Sequence, residues 1–256
     1  METTHPNLSA NIATLKLPDP AKQALEEFAL KVQEMYSGDL VSIAVFGSAV
    51  TGDYDEGESD VNVLIVHSEL DIADLEHVAD LSRQWLQKKR IAPRFLSRRN
   101  LVESARYFQI DFLEMRDAHV VLWGEDVLAA IELLPAELRW QIGYEIKAMR
   151  MRLKQVFWRT AGDNKMMKAA LVARFTSLLH IVRALLLLKK LKAPLTREEI
   201  IAEASRHLAL DRQIAEQFLR LRRSTLPSDA RILMGMFGDL MEMIRLVDAR
   251  VEEVQL

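Results

Sequence analysis

This 256-residue chain contains no cysteine. Disulfides, thiolate-bound zinc and thiol nucleophiles are therefore excluded, and the composition fits a reducing compartment. Proline and glycine are scarce, at seven and nine residues, which argues against a mostly β or disordered chain. Long apolar runs are missing as well. The longest, "ALLLL" at 184–188, is flanked by Arg183 and Lys189, far short of the roughly 20 residues that span a bilayer. The first twenty residues have neither a basic start nor an apolar centre, so a signal peptide is not expected. Together these absences lead to the expectation of a soluble, cytoplasmic protein that does not engage a membrane.

Half of the residues are hydrophobic, enough to build one large core or two modest ones. The net charge of −3 conceals an asymmetry. Residues 1–134 hold 12 Lys/Arg and 23 Asp/Glu, a balance of −11, whereas residues 135–256 hold 22 and 14, a balance of +8. A shift of this size places a domain boundary near Pro135. The basic half is read in two ways: as helices with wet Lys/Arg faces, or as a surface that holds an anionic substrate.

The first half mixes strand and helix signals. Asp19-Pro20 reads as an N-cap followed by proline at the first helical position, and Leu25, Phe28, Val32 and Met35 recur at helical spacing up to Gly38. Short β-branched runs predict strands at 41–46 ("VSIAVF") and 61–67 ("VNVLIVH"). Ile72, Leu75, Ala79 and Leu86 mark an amphipathic helix between them and a third strand at 91–97, where Pro93 suggests an edge. A short helix over 99–106, a fourth strand at 108–115 ("FQIDFLEM") and a last short strand at 119–124 complete the half. This order suits a small mixed sheet with helices on one side.

The second half reads as four helical segments, 136–160, 165–191, 197–223 with a break near Leu210-Asp211, and 228–254. Leu171, Phe175, Leu178, Leu179, Val182 and Leu186 give the second segment a wide apolar stripe. Pro227 and Asp229 mark the start of the last. The fold class expected is thus α+β: a mixed-sheet α/β domain over 1–134 followed by an all-α helical bundle over 135–256.

The segment "AVFGSAVTGDYDEGESDVNVLIV" at 44–66 carries the chemistry. Gly47-Ser48 follows a strand directly, so the backbone can approach a ligand and present amide groups to an anion. In the next strand Asp60 and Asn62 stand two apart and share a face. Asp111, in the expected fourth strand, could join them. Oxygen ligands converging from two strands can hold Mg²⁺ between protein and phosphates, and a pair of such metals clamps both ends of a phosphoryl displacement. Asp111 is preferred to Glu114, which a strand would turn to the opposite face. Asp53, Asp55, Glu56 and Glu58 form an acidic loop with no Lys or Arg, read mainly as a solvated turn.

This pattern of apolar strand, Gly-Ser, a loop and acid-x-acid on an apolar strand, with a third acid on a later strand, resembles the DNA polymerase β-like nucleotidyltransferase superfamily, including its minimal and aminoglycoside-modifying members. The resemblance covers roughly residues 38–126. It implies an NTP as substrate, Mg²⁺ or Mn²⁺ as cofactor, Asp60 and Asp111 as catalytic metal ligands with Asp111 as base, and Gly47, Ser48 and Asn62 as nucleotide-holding residues. Asn62 stands where the family has a carboxylate that bridges both metals. The expectation is therefore a superfamily member with a degenerate metal site, or a scaffold that serves as a regulatory or interaction module.

Three further features are noted. Arg174 and His180 match an Arg-x5-His spacing that resembles the ribonuclease pair of HEPN domains, although six helical residues set two side chains about 120° apart. Trp140, Tyr144, Met151 and Trp158 are read as core or interface rather than as a nucleic-acid surface, and "RLRRS" at 220–224 is equally ambiguous. Met-rich "MGMFGDLMEMI" at 234–244 is expected to be a packing stripe or a homodimer face.

Overall fold

The computed structural model describes residues 8–36, 38–69, 79, 83, 85–87, 90–160, 162–226 and 229–254. It divides into two compact units, 1–133 and 134–256. The fold is α+β in the first and all-α in the second.

Unit 1 is built on a four-stranded mixed sheet of order β3-β2-β1-β4. The strands are β1 (Leu40–Phe46), β2 (Val61–His67), β3 (Ile91–Ser97) and β4 (His119–Gly124). β1 runs antiparallel to both β2 and β4, and β2 runs parallel to β3. β3 is an edge strand, which accommodates Pro93. β1 and β2 are apolar on both sides because both faces of the sheet are covered. On one face, α1 (Leu8–Thr14) and α2 (Asp19–Met35) contribute Ile12, Leu25, Phe28 and Val32 to a core with Ile43, Val45, Val63 and Ile65. On the other, Leu101 and Ala105 of α4 (Arg98–Tyr107) and Phe112 and Met115 of α5 (Gln109–Asp117) pack on Ala44, Phe46, Leu64 and Val66. The expected arrangement with helices on one side is thus corrected.

Two other readings change. The expected fourth strand at 108–115 is the helix α5. Its apolar run, with Ile110, Phe112, Leu113 and Met115 all buried, fits either periodicity, and length alone did not separate them. The place beside β1 is taken by β4 instead. Helix α1 was not anticipated. Asp19 is the first helical residue of α2 and makes no side-chain cap; the N-cap position is Pro18. Of the amphipathic helix expected after Asp71, Ile72 and Leu75 lie outside the described residues. Ala79 and Leu86 are helical but exposed, and among the described residues of this segment Trp85 is the buried one.

Unit 2 comprises α6 (Pro135–Thr160), α7 (Asn164–Leu188), α8 (Arg197–Leu208), α9 (Arg212–Arg222) and α10 (Ala230–Glu252). The break between α8 and α9 falls at Ala209, which adopts φ 59°, beside buried Leu210. Aspartates cap three starts: Asp163 accepts from the Met166 N–H, Asp211 from Ile214 and Asp229 from Ile232. Pro227 lies outside the described residues. By length and composition α7 is apolar enough to cross a membrane. In this fold it is the centre of the bundle, packed against α6, α8, α9 and α10. All six residues of its expected stripe are buried. Arg183 is buried in the same helix and donates from Nε to the Pro194 carbonyl at 2.9 Å. Met236 and Met243 of α10 are core residues.

Candidate functional site

The site forms at the end of the sheet where β1 stops and β2 starts. Gly47 leaves β1 with φ 77°, a conformation that favours glycine. Its N–H donates to the Ala118 carbonyl at 3.0 Å, and its own carbonyl accepts from Val50 and Thr51. A one-turn helix, α3 (Ser48–Thr51), results. The Ser48 and Ala49 amides precede these bonds and are not used by the turn itself. Lys16 fastens α3, its N–H donating to the Ala49 carbonyl and its Nζ to that of Thr51.

Strand pairing then sets a row of side chains across one face. Asn62 of β2 is opposite Phe46 of β1 and beside Ala92 of β3. His119 of β4 is opposite Phe46 on its other side. A Cβ placed on Gly47 would lie 3.6 Å from the Asn62 Nδ2, so the Gly-Ser turn and Asn62 are neighbours, as expected from their spacing. His119 Nδ1 is 2.8 Å from the Arg116 carbonyl and Nε2 is 3.0 Å from Asp126 Oδ1, contacts that fix the ring.

Asp60 opens β2 at the same end. Its Oδ1 is 3.1 Å from Arg90 Nε. Arg90 also donates to the Gly57 and Ser59 carbonyls, at 2.8 and 3.0 Å, and so straps the acidic loop to the sheet. It does so from the left-handed region, φ 54°, a strained conformation for a non-glycine residue. Glu56 and Glu58 face solvent, whereas Asp53 and Asp55 are half-buried, so the solvated-turn reading holds for two of the four acids. Burial holds the Tyr54 phenol above its ordinary pKa; Arg90 opposes this, while Glu56 and Asp60 reinforce it.

Asp111 lies in the first turn of α5 and not on a strand. The strand argument that separated it from Glu114 therefore lapses, because residues three apart on a helix are neighbours. Its Oδ1 is 3.8 Å from Arg94 Nη1. Arg94 stands on β3 beside Leu64, two residues beyond Ala92 on the same face. Its guanidinium lies 5.5 Å from the centroid of the Phe46 ring. Since β2 separates β3 from β1, the Arg94 and Phe46 side chains meet across β2 on the face that carries Asn62.

These residues do not fit a two-metal site. None of the four strands contains an aspartate or glutamate. The later strand adjoining β2 offers Ala92 and Arg94 where a third acid would be needed. Both candidate ligands, Asp60 and Asp111, are paired with arginines. Among the described residues no group of three His, Cys, Asp or Glu could hold a metal ion. A guanidinium on the same face as Asn62 repels a divalent cation, the reverse of what a metal site needs.

Sequence reasoning missed Arg90, Arg94 and Phe46. The signal for Arg94 was available in part: in "IAPRFLS" it alternates with Ala92 and Leu96. Which face that was, and that it adjoined Asn62, depended on the parallel pairing.

In unit 2, Trp140, Tyr144, Met151 and Trp158 are not core: their exposures range from 52% to 74%. Trp140 and Tyr144 stack on each other at 5.5 Å. Arg223 pairs with Glu198. Arg174 and His180 lie on the single helix α7.

Comparison with known proteins places this chain among nucleotide-transferring folds. Residues 25–120 match the nucleotidyltransferase domain family. A Methanocaldococcus jannaschii protein named "Putative protein adenylyltransferase" is 37% identical over 67 residues, 26% of this chain and 62% of its own length. The chain thus spans less than two thirds of that relative. The crystal structure of spectinomycin adenyltransferase AAD(9) from Enterococcus faecialis, with ATP and spectinomycin, superposes with a TM-score of 0.57 at 11% identity, covering 90% of this chain and 99% of that one. This last likeness is one of fold.

Proposed function

We infer that this chain, whose residues 25–120 form a nucleotidyltransferase domain of the polymerase β-like superfamily, binds a nucleoside triphosphate beside Gly47, Ser48 and Asn62, and that its metal site is degenerate. The observation that carries the reading is the row Ala92–Asn62–Phe46 with Gly47 against Asn62: the Gly-Ser turn lies against position 62, which carries an amide and not a carboxylate. Both relatives described above are named for adenylyl transfer, so ATP is the first nucleotide to try. The reaction native to such a scaffold joins an acceptor hydroxyl oxygen to the α-phosphorus, breaks the bond to the bridging oxygen and releases pyrophosphate. The metal-ligand and base roles expected of Asp60 and Asp111 are not carried into this reading, because each carboxylate already faces an arginine. The helical unit is proposed to hold the acceptor or a protein partner, and the protein to work in the cytoplasm.

The test is a thermal-shift titration with each of the four NTPs, in Mg²⁺, in Mn²⁺ and in EDTA. A saturable rise in melting temperature for one NTP supports the reading, since a ligand that binds only the folded state stabilises it. No rise with any NTP at millimolar concentration sinks it. The second reading, a non-catalytic interaction module, is favoured by one observation: the exposed aromatic face of α6. It predicts that nucleotides are inert and that a protein partner is captured through that face.

A further inference from the structure

Resting on the nucleotide-binding reading, we propose that Arg94 takes the place of the divalent cation, so that this site binds the triphosphate of a nucleotide without metal. The argument begins with the sheet. A superfamily metal site needs carboxylates on β2 and on a later strand; here those strands present Asn62, Ala92 and Arg94. A site that had merely lost its metal would be left neutral or negative. This one has gained a cation whose guanidinium meets the Phe46 ring of β1 on the face that carries Asn62.

Arg94 is also in a state to accept a ligand. Its guanidinium lies over the Phe46 ring, a cation–π contact that holds it at this face. The one anion it meets is Asp111 Oδ1, at 3.8 Å, with both side chains about half exposed. That separation is too long for a hydrogen bond, and an exposed ion pair contributes little. Among the described residues the Arg94 guanidinium forms no hydrogen bond. A phosphate offers it what Asp111 does not, a bidentate charge-assisted pair in the guanidinium plane. Asp111 then acts as a placeholder for the phosphate and competes with it, which is the reverse of the role a metal ligand would have. Asn62 adds an amide that can donate to phosphate oxygen, where a carboxylate would repel it.

The experiment is calorimetric titration of ATP, ADP and inorganic triphosphate into the full chain in EDTA, repeated with Mg²⁺. The variants are Arg94→Gln and Asp111→Asn, each with its unliganded melting temperature measured as a check on folding. The expected result is saturable ATP binding in EDTA, weakened tenfold or more by R94Q and tightened several-fold by D111N. Inorganic triphosphate binding as tightly as ATP would assign the site to polyphosphate alone and overturn the nucleotide part of the proposal. Binding that appears only with Mg²⁺, or is weakened by D111N, overturns the metal-free assignment and leaves the nucleotide reading standing. Binding in EDTA that R94Q leaves unchanged overturns the role of Arg94. Absence of binding under every condition removes the nucleotide reading itself.

Discussion

Asn62 is the residue on which the site turns. With a carboxylate at this position, a second acid would join Asp60 and a nucleotide phosphate at one end of β2, and Arg90 is already engaged by Asp60. Asn62→Asp is therefore expected to weaken ATP binding in EDTA by about tenfold, or about 1.4 kcal/mol, and to produce no metal-dependent turnover while Arg94 remains on the face that carries residue 62. Release of pyrophosphate by this variant in Mn²⁺ would show that the rest of a metal site is intact, contrary to the account. Gly47, Ser48, Asp60 and Asn62 were legible from their spacing because two adjacent strands and one turn are local structure. Arg90 and Arg94 were not, because their relation to β2 is made by a parallel pairing that crosses more than twenty residues of chain, and no local pattern encodes it.

At the scale of elements, the misread segment is instructive. "FQIDFLEM" has apolar residues at positions that serve a strand or a helix, and β4 could compete for the place beside β1. As a helix it packs: Phe112 and Met115 cover the second face of the sheet together with Leu101 and Ala105 of α4. Gln109 closes the junction of α4 and α5 by donating from Nε2 to the Ala105 carbonyl at 2.6 Å. By contrast the stripe of α7 and the break before α9 were readable, since each follows from periodicity or an aspartate cap. Helix α10 carries a titratable weak point. Burial raises the pKa of Asp239, and the nearby Asp211 raises it further. A carboxyl whose folded pKa exceeds its unfolded one binds protons more readily when folded, so its charge lowers stability above the folded pKa and the penalty disappears as pH falls below the unfolded value. Asp239→Asn should raise the urea midpoint at pH 7, with a gain that shrinks to nothing in acid below the ordinary aspartate range. An equal gain at both pH values would show that charge is not the cause.

In the whole molecule, an acidic α/β unit and a basic helical unit share one chain, and the composition shift near residue 134 coincides with a division into compact units. The tryptophans report on each unit separately. Trp85 is buried in unit 1, whereas Trp140 and Trp158 of unit 2 are exposed. The sequence could not distinguish an aromatic core from an aromatic surface here, because the apolar stripe and the basic residues alternate along one helix. Replacing Trp140 and Trp158 together by alanine should change stability by about 0.5 kcal/mol or less, as for other exposed positions. A loss near the roughly 3–5 kcal/mol of a core tryptophan would return these side chains to the interior. If the double variant keeps its stability and ATP binding but loses a protein partner, the aromatic face belongs to the interaction function of the bundle.

The claim that unites these scales is that an arginine, and not a divalent ion, provides the positive charge of a nucleotide site. It is tested most directly by titrating ATP into the metal-free protein in EDTA and following the heat. The account predicts saturable binding at one site per chain, little changed when Mg²⁺ is added back. No heat in EDTA, followed by binding once Mg²⁺ is supplied, would contradict it.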